Sequence, residues 1–421
     1  MNAPTVAQLR EAMASRVIIA DGAMGTMLQA AGPSLEDFQG FDGCNEILNV
    51  SRPDIVRAVH QAYVDAGVDA VETNTFGANL ANLGEYGIPE RIYELSFAGA
   101  RLAREVTDAA STLERPRWVI GSIGPGTKLP TLGHVTYAEL REAYEEQCRG
   151  LLDGGVHALL VETSQDLLQA KAAINGARRA REATGLDAVL IAHVTVETTG
   201  TMLLGSEIGA AMIALEPLGI DCIGLNCATG PAEMSEHLRT LSRQSRAKVS
   251  VMPNAGLPIL GPNGAEYPLG PDDFAEALSS FADEYGLSLV GGCCGTTPAH
   301  LAKVVERLHG RAITPRNPIQ EPSVASLYQA VPLRQELSYL AIGERTNANG
   351  SKAFREAMIA EDWDACIEIA RDAVRDGAHL IDLCVDYVGR DGMADMQALG
   401  SRLATASTLP IVIDSTEAHV I

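Results

Sequence analysis

The chain has 421 residues, 46% of them hydrophobic, with 40 glycines and 20 prolines; this suffices for a large core and more than one domain, and excludes a disordered or fibrous chain. Its 32 Lys and Arg stand against 54 Asp and Glu, a formal net charge of −22, so nucleic acid and an anionic membrane, which both demand a basic face, are not expected partners. Eight cysteines are too few for a disulfide scaffold, "MNAPTVAQLREAMASRVIIADG" lacks the apolar segment of a signal peptide, and no run approaches the roughly 18 apolar residues of a membrane span, so a reducing cytoplasm is expected.

Short β-rich apolar runs that end in polar or glycine residues recur along the chain. In order they are "RVIIADGAMG" (16–25), "VDAVETNTFG" (68–77), "RWVIGSIGPG" (117–126), "VHALLVETSQ" (156–165), "AVLIAHVTVE" (188–197), "IDCIGLNCATG" (220–230), "KVSVMPNAG" (248–256) and "LSLVGGCCG" (287–295). Between them lie amphipathic segments such as "PDIVRAVHQAYVDAG" (53–67) and "TYAELREAYEEQCRGLLDGG" (136–155), ending in glycine as helices commonly do. Near-continuous apolar strands alternating with such helices predict parallel βα units, and eight of them over about 280 residues predict an α/β fold of the (β/α)8 TIM-barrel kind. A doubly wound open sheet is the competing topology.

The stretch "RAITPRNPIQEPSVASLYQAVP" (311–332) carries Pro315, Pro318, Pro322 and Pro332 and reads as an extended interdomain linker. After it, "LSYLAIGERTNANGSKAF", "GAHLIDLCVDYVGRDG" and "LPIVIDSTEAHVI" begin a second run of βα units. That run stops after about three strands, short of the roughly 200 residues a barrel needs. The expected division is a barrel over 1–312, a linker over 313–336, and the truncated start of a second (β/α)8 barrel over 337–421.

In a barrel of this kind chemistry belongs at the C-terminal ends of the strands. Cys227 follows the sixth strand, and the neighbours Cys293 and Cys294 end the eighth, so three thiols can converge at the mouth. Cys222 lies inside a strand, and Cys148 and Cys366 lie on helical patterns, where small buried hydrophobes are expected. A disulfide between neighbours is disfavoured, because consecutive Cα atoms are about 3.8 Å apart and a disulfide prefers about 4.4–6.8 Å. Three thiolates with an open fourth position describe a catalytic zinc site, with a reactive thiol pair or simple packing as alternatives. Gly291, Gly292 and Gly295 are expected to let the backbone bend so that both adjacent sulfurs face one ion. A three-thiolate zinc is a poor Lewis acid for water but accepts and deprotonates a thiol, which suggests alkyl transfer to a thiol rather than hydrolysis.

"ADGAMGTMLQ", "GLNCATGP" and "VGGCCGTTPAHL", in this order and spacing, resemble the homocysteine methyltransferase domain over roughly residues 5 to 310. The resemblance implies that Cys227, Cys293 and Cys294 bind Zn2+, which activates homocysteine, and that Asp21 and Glu162 hold the substrate ammonium. Without it, those two carboxylates read as helix caps or rim ion pairs. Asn254, in "VMPNAGLP", resembles a family position that can occupy the metal in the absence of substrate; otherwise it is a turn residue. Glu72 and Asn74, in "ETNTFGAN", are candidates for site lining or for loop capping. His193 reads as a core histidine, and "GSIGPGTK" (121–128) fails as a phosphate loop because Thr127 intervenes between Gly126 and Lys128.

"IGERTNANGS" and "PIVIDST" resemble the start of a pterin-binding methyltetrahydrofolate barrel. A homocysteine domain followed by a folate domain is the order of the cobalamin-dependent methionine synthase family. The resemblance implies that Asn347, Asp382 and Asp414 lie at a pterin pocket, with strand-end capping as the plain alternative. It also implies that homocysteine accepts a methyl group from methylcobalamin, bound outside these residues on a cobalamin domain, with 5-methyltetrahydrofolate as the ultimate donor. The alternatives are a cobalamin-independent transferase using betaine or S-methylmethionine, and a non-catalytic zinc scaffold.

Overall fold

A computed structural model describes residues 4–261 and 264–421. Each of the eight apolar runs becomes a strand: β1 (Ile18–Ile19), β2 (Ala70–Glu72), β3 (Trp118–Ile123), β4 (Ala158–Ser164), β5 (Val189–Val194), β6 (Cys222–Asn226), β7 (Lys248–Met252) and β8 (Leu289–Val290). They form one parallel sheet in which sequence neighbours pair and β8 returns to β1. The remaining seam, between β1 and β2, has no strand ladder and is bridged by Asp69. The Asp69 N–H donates to the Ile19 carbonyl at 2.7 Å, and the Ile19 N–H donates to the Asp69 carboxylate at 3.0 Å. Arg16 grips the same carboxylate at 2.8 and 3.2 Å. The result is a nearly closed barrel, not a doubly wound open sheet.

The strand interiors explain the closure. Ile18 and Ala20, Trp118 and Ile120, Ala158 and Leu160, and Val189 and Ile191 belong to one buried cluster with Ala70, Cys222, Met252 and Leu289. Side chains alternate across a strand, so one face of all eight strands can meet only inside a closed sheet. Helix Val6–Ser15, started by a Thr5–Gln8 capping box, adds Leu9 and Met13 to this cluster beside the residues that begin the strands. Outside, helix Pro53–Ala66 buries Ile55, Val56, Val59, Tyr63 and Val64 and ends at Gly67, whose φ of +97° only glycine adopts freely. Cys148, Cys222 and Cys366 are buried, as small hydrophobes are.

The chain divides into two compact units, Met1–Leu203 with Leu215–Gln320, and Leu204–Ala214 with Glu321–Ile421. In the first, the residues up to Gln320 run against the barrel unit through Arg316, whose guanidinium donates to the carbonyls of Leu241, Ser242, Ser245 and Ala247. In the second, Ser323–Ala325 and Ala330–Pro332 pair as an antiparallel hairpin, so the proline-rich stretch is not uniformly extended. The second unit then builds a parallel sheet of β9 (Ile342–Gly343), β10 (Leu380–Leu383) and β11 (Ile411–Ile413). Phe354, Met358, Cys366, Ile381, Leu383, Leu399 and Leu403 form its core.

Candidate metal centre and substrate pocket

Three loops at the C-terminal ends of β6, β7 and β8 build the centre. Cys227 follows β6 directly with φ +59°, and Ala228 follows with φ +56°. Left-handed non-glycine residues cost about 1–3 kcal/mol each and persist where surrounding structure over-determines them. Here the Cys227 N–H donates to the Met252 carbonyl at 3.3 Å, and Thr229 N–H returns to the Cys227 carbonyl at 2.7 Å. On the other arm, Cys293 N–H donates to the Pro253 carbonyl at 2.9 Å, and Ala255 N–H donates to the Cys294 carbonyl at 3.0 Å.

These bonds bring the sulfurs of Cys227, Cys293 and Cys294 within 4.8 Å of one another, on half-buried residues. All three are free thiols, and Cys227 Sγ lies 3.7 Å from Cys294 Sγ. A tetrahedral zinc with bonds of about 2.3 Å to sulfur sets its ligands about 3.8 Å apart, so the cup fits such an ion. The Cys294 thiol is held well below the ordinary thiol range, first by hydrogen bonds from Cys227 and Cys293, against desolvation, with a further bond from Tyr267. The thiols of Cys227 and Cys293 lie above the ordinary range, so the cup without a cation concentrates its negative charge on Cys294 and holds the other two as thiols.

Two of the three glycines of "GGCCG" have a different cause from the expected bend. Of the three, only Gly295 takes a left-handed φ, +77°. Gly291 and Gly292 are needed for close approach: a Cβ on Gly291 would sit 2.8 Å from Met252 Cε, and one on Gly292 would sit 2.3 Å from Thr296 Oγ1. A Cβ on Gly295 would strike the Tyr267 ring at 2.2 Å. The cysteines reach the centre because the strand end is packed tightly, not because it is loose.

Beside the sulfurs is a cavity of about 230 Å³ lined by Met24, Glu72, Phe76, Glu162, Asn226 and the three cysteines, among others. Glu162 is 5% exposed on β4. One of its oxygens accepts from the Ser122 hydroxyl, and the other accepts from Asn226 Nδ2 at 3.0 Å. Burial is the main reason its pKa is pushed up to about 7. Asp21, just past β1, is 1% exposed and accepts the Glu72 N–H at 3.0 Å, the link that sets β1 and β2 side by side at the mouth. Burial also raises the pKa values of Asp21 and Glu72. Neither Asp21 nor Glu162 is a helix cap, and neither has an ion-pair partner among the described residues.

Asn226, Ser122 and Thr163 were not singled out from sequence, yet they organise the pocket. Asn226 Oδ1 accepts the Thr163 N–H at 2.7 Å, and its Nδ2 reaches Thr163 Oγ1 at 2.8 Å and Cys293 Sγ at 3.8 Å. Thr163 has φ +54°, so the Asn226 bonds hold a strained residue next to Glu162. The available signal was polarity inside buried strands, in "LLVETS" and "GLNC".

Asn254 is buried between Pro253 and Ala255, the two residues that bond the cysteine arm, and its Oδ1 has no partner. Asn74 donates to the Asn45 carbonyl and to Asn49 Oδ1, so it fastens a loop. His193 is buried in the barrel with Nε2 2.6 Å from Ser250 Oγ. In "GSIGPGTK" the carbonyls of Pro125 and Lys128 accept from Gln169, which ties the loop to helix Leu167–Thr184. In the second unit, Asn347 Nδ2 donates to Asp382 at 2.8 Å and to Asp414 at 3.2 Å, so all three meet at the C-terminal ends of β9, β10 and β11.

Barrel and cup together define an α/β barrel with a cluster of three cysteines able to hold a metal ion at its C-terminal mouth. The sequence model of the homocysteine S-methyltransferase family matches residues 18–308, and the chain belongs to that family. A second model, that of pterin binding enzymes, matches residues 343–421. The methionine synthase of Mycobacterium tuberculosis is 64% identical over 413 residues, and that of Mycobacterium leprae 62% over 418. Each alignment covers 98% of this chain and 35% of the relative, so the chain spans about a third of the length of these relatives. The crystal structure of the metallated homocysteine methyltransferase MmuM from Escherichia coli shares the barrel fold, with a TM-score of 0.57 at 23% identity over 69% of this chain and 96% of that one. No helix among the described residues is long and apolar enough to cross a membrane.

Proposed function

We propose that this chain performs the homocysteine half of a methionine synthase reaction, in which the substrate thiolate accepts a methyl group to become methionine. The observation that carries this reading is the three-sulfur cup facing a cavity lined by buried carboxyl groups. Zn2+ held by Cys227, Cys293 and Cys294 would supply a fourth coordination place in which a substrate thiol is deprotonated yet remains nucleophilic.

The chain's own residues do the rest. Asp21 and Glu162 receive the substrate ammonium, and Ser122 and Asn226 fix the Glu162 carboxylate. The unpartnered Asn254 oxygen is close to the cysteine arm and is suited to fill the fourth place when substrate is absent. The methyl group comes from methylcobalamin on a cobalamin domain outside these residues, and ultimately from 5-methyltetrahydrofolate. Asn347, Asp382 and Asp414, already joined by hydrogen bonds, are proposed to meet the pterin ring, Asp414 most directly. The working division is 1–312 for homocysteine, 313–336 as linker and 337–421 for the pterin, and the setting is cytoplasmic.

Metal analysis and thiol titration test the site together. The unsubstituted protein should hold one zinc per chain and bind homocysteine, and Cys293→Ser should lose most of both. Full zinc and full homocysteine affinity in Cys293→Ser would show the centre is elsewhere. Methyl transfer from free methylcobalamin, but not from betaine or S-methylmethionine, is the expected donor pattern; the reverse pattern would sink the methionine synthase reading. Zinc that only holds the barrel together, with no spectral response of the cobalt-substituted centre to homocysteine, would point to a scaffold.

A further inference from the structure

Glu46, Glu72 and Glu162 line the pocket and Asp21 stands behind Glu72, but their unused bonding capacity differs. Glu46 accepts from the Gly77 N–H and from Cys44 Sγ, so it is already engaged. Both oxygens of Glu162 already accept a protein hydrogen bond. One oxygen of Asp21 accepts the Glu72 N–H, and Oδ2 is buried without a partner. Glu72 Oε1 is likewise buried without a partner, and its side chain lines the cavity itself. None of Asp21, Glu72 and Glu162 has an ion-pair partner among the described residues, and Glu72 faces the charge of both Glu162 and Asp21. Buried acceptors without donors are unfavourable, and like charges packed together add to that. A cation with several N–H groups would relieve both, and a primary ammonium presents three donors.

Resting on the homocysteine reading above, we propose that Glu72 is a substrate-binding residue, the third acceptor for the ammonium beside Asp21 and Glu162. The pocket then selects α-amino thiols over thiols of the same length that lack the amino group. The capping alternative for Glu72 does not hold for its carboxyl group, which caps nothing; the Asp21 carboxylate instead accepts its backbone N–H.

The test uses the zinc-loaded chain with L-homocysteine and with 4-mercaptobutyrate, the same thiol without its amino group, in calorimetric titrations. The unsubstituted protein should prefer homocysteine. Glu72→Gln should weaken homocysteine binding by at least about tenfold while leaving 4-mercaptobutyrate within about twofold, at unchanged zinc content. Its ligand-free Tm should be unchanged or raised, because one of three repelling groups is gone. Glu72→Asp, which keeps the charge one methylene back, should retain part of the selectivity. Equal weakening of both thiols by Glu72→Gln, or selectivity unchanged in both variants, overturns the role of Glu72. Failure of the unsubstituted protein to bind either thiol would instead overturn the homocysteine reading, and this role with it.

Discussion

Asn226 places its side-chain amide between Glu162 and Cys293, with Nδ2 3.0 Å from Glu162 Oε2 and 3.8 Å from Cys293 Sγ. One amide therefore touches both the carboxyl group proposed to hold the substrate and a sulfur proposed to hold the metal. Asn226→Ala removes these contacts and the acceptor for the strained Thr163 N–H. A loss of about 1–3 kcal/mol is expected, with weaker homocysteine binding. Unchanged Tm and unchanged affinity would show that the amide is incidental.

Asp69 closes the barrel seam. Its fully buried carboxylate receives Arg16 and the Ile19 N–H, and no strand ladder backs it up between β1 and β2. Asp69→Ala leaves the partly buried Arg16 guanidinium with no carboxylate, only the Val17 carbonyl and the Trp118 ring, and leaves the Ile19 N–H without its acceptor, and should cost about 3–5 kcal/mol. Urea unfolding measures this directly. A loss below about 1 kcal/mol, the range of an exposed ion pair, would contradict the seam as described.

Gly295 combines a left-handed φ with the Tyr267 ring against its missing Cβ. Gly295→Ala should push Tyr267 off Cys294 and shift that sulfur, lowering zinc affinity and costing about 1–3 kcal/mol from the backbone alone. Competition with a chelator reads the affinity. An alanine variant that keeps zinc as tightly would mean that the ring moves freely.

His60, in helix Pro53–Ala66, is buried with neither ring nitrogen partnered, and burial holds its pKa down from 6.5 to about 4. The folded value lies below the unfolded one, so the unfolded chain takes up the proton first. The neutral ring's contribution is complete above pH 6.5 and is lost as pH falls toward 4. His60→Leu removes this term, so the stability of the variant relative to the parent should rise by about 2 kcal/mol between pH 6.5 and pH 5. Urea melts at several pH values give the comparison, and parallel curves would refute it.

The barrel was legible in sequence because each strand is buried on both faces and shows as a near-continuous apolar run with a polar end. The cysteine cup was legible because thiols at strand ends converge by topology alone. The seam was not, since Asp69 before β2 looks like any acidic residue, and only its contact with Ile19 reveals the role. The "GGCCG" glycines were noticed, but their crowding partners, Met252, Thr296 and Tyr267, include residues far off in the chain. Asn226 stands beside Cys227 and carries no signal in sequence beyond a polar side chain inside an apolar strand. The proline-rich stretch read as extended because proline fixes φ without saying whether the flanking residues pair, and here Ser323–Ala325 pairs with Ala330–Pro332.

The end of β7 bonds both jaws of the cup: Met252 holds Cys227, while Pro253 and Ala255 hold the Cys293–Cys294 arm. The two jaws are therefore gauged from one short ruler rather than from each other. A breathing motion of the mouth that displaces this ruler carries both jaws along and preserves the spacing between sulfurs. The spacing between sulfurs is therefore sensitive to any change that alters the length of the four-residue step from Met252 to Ala255.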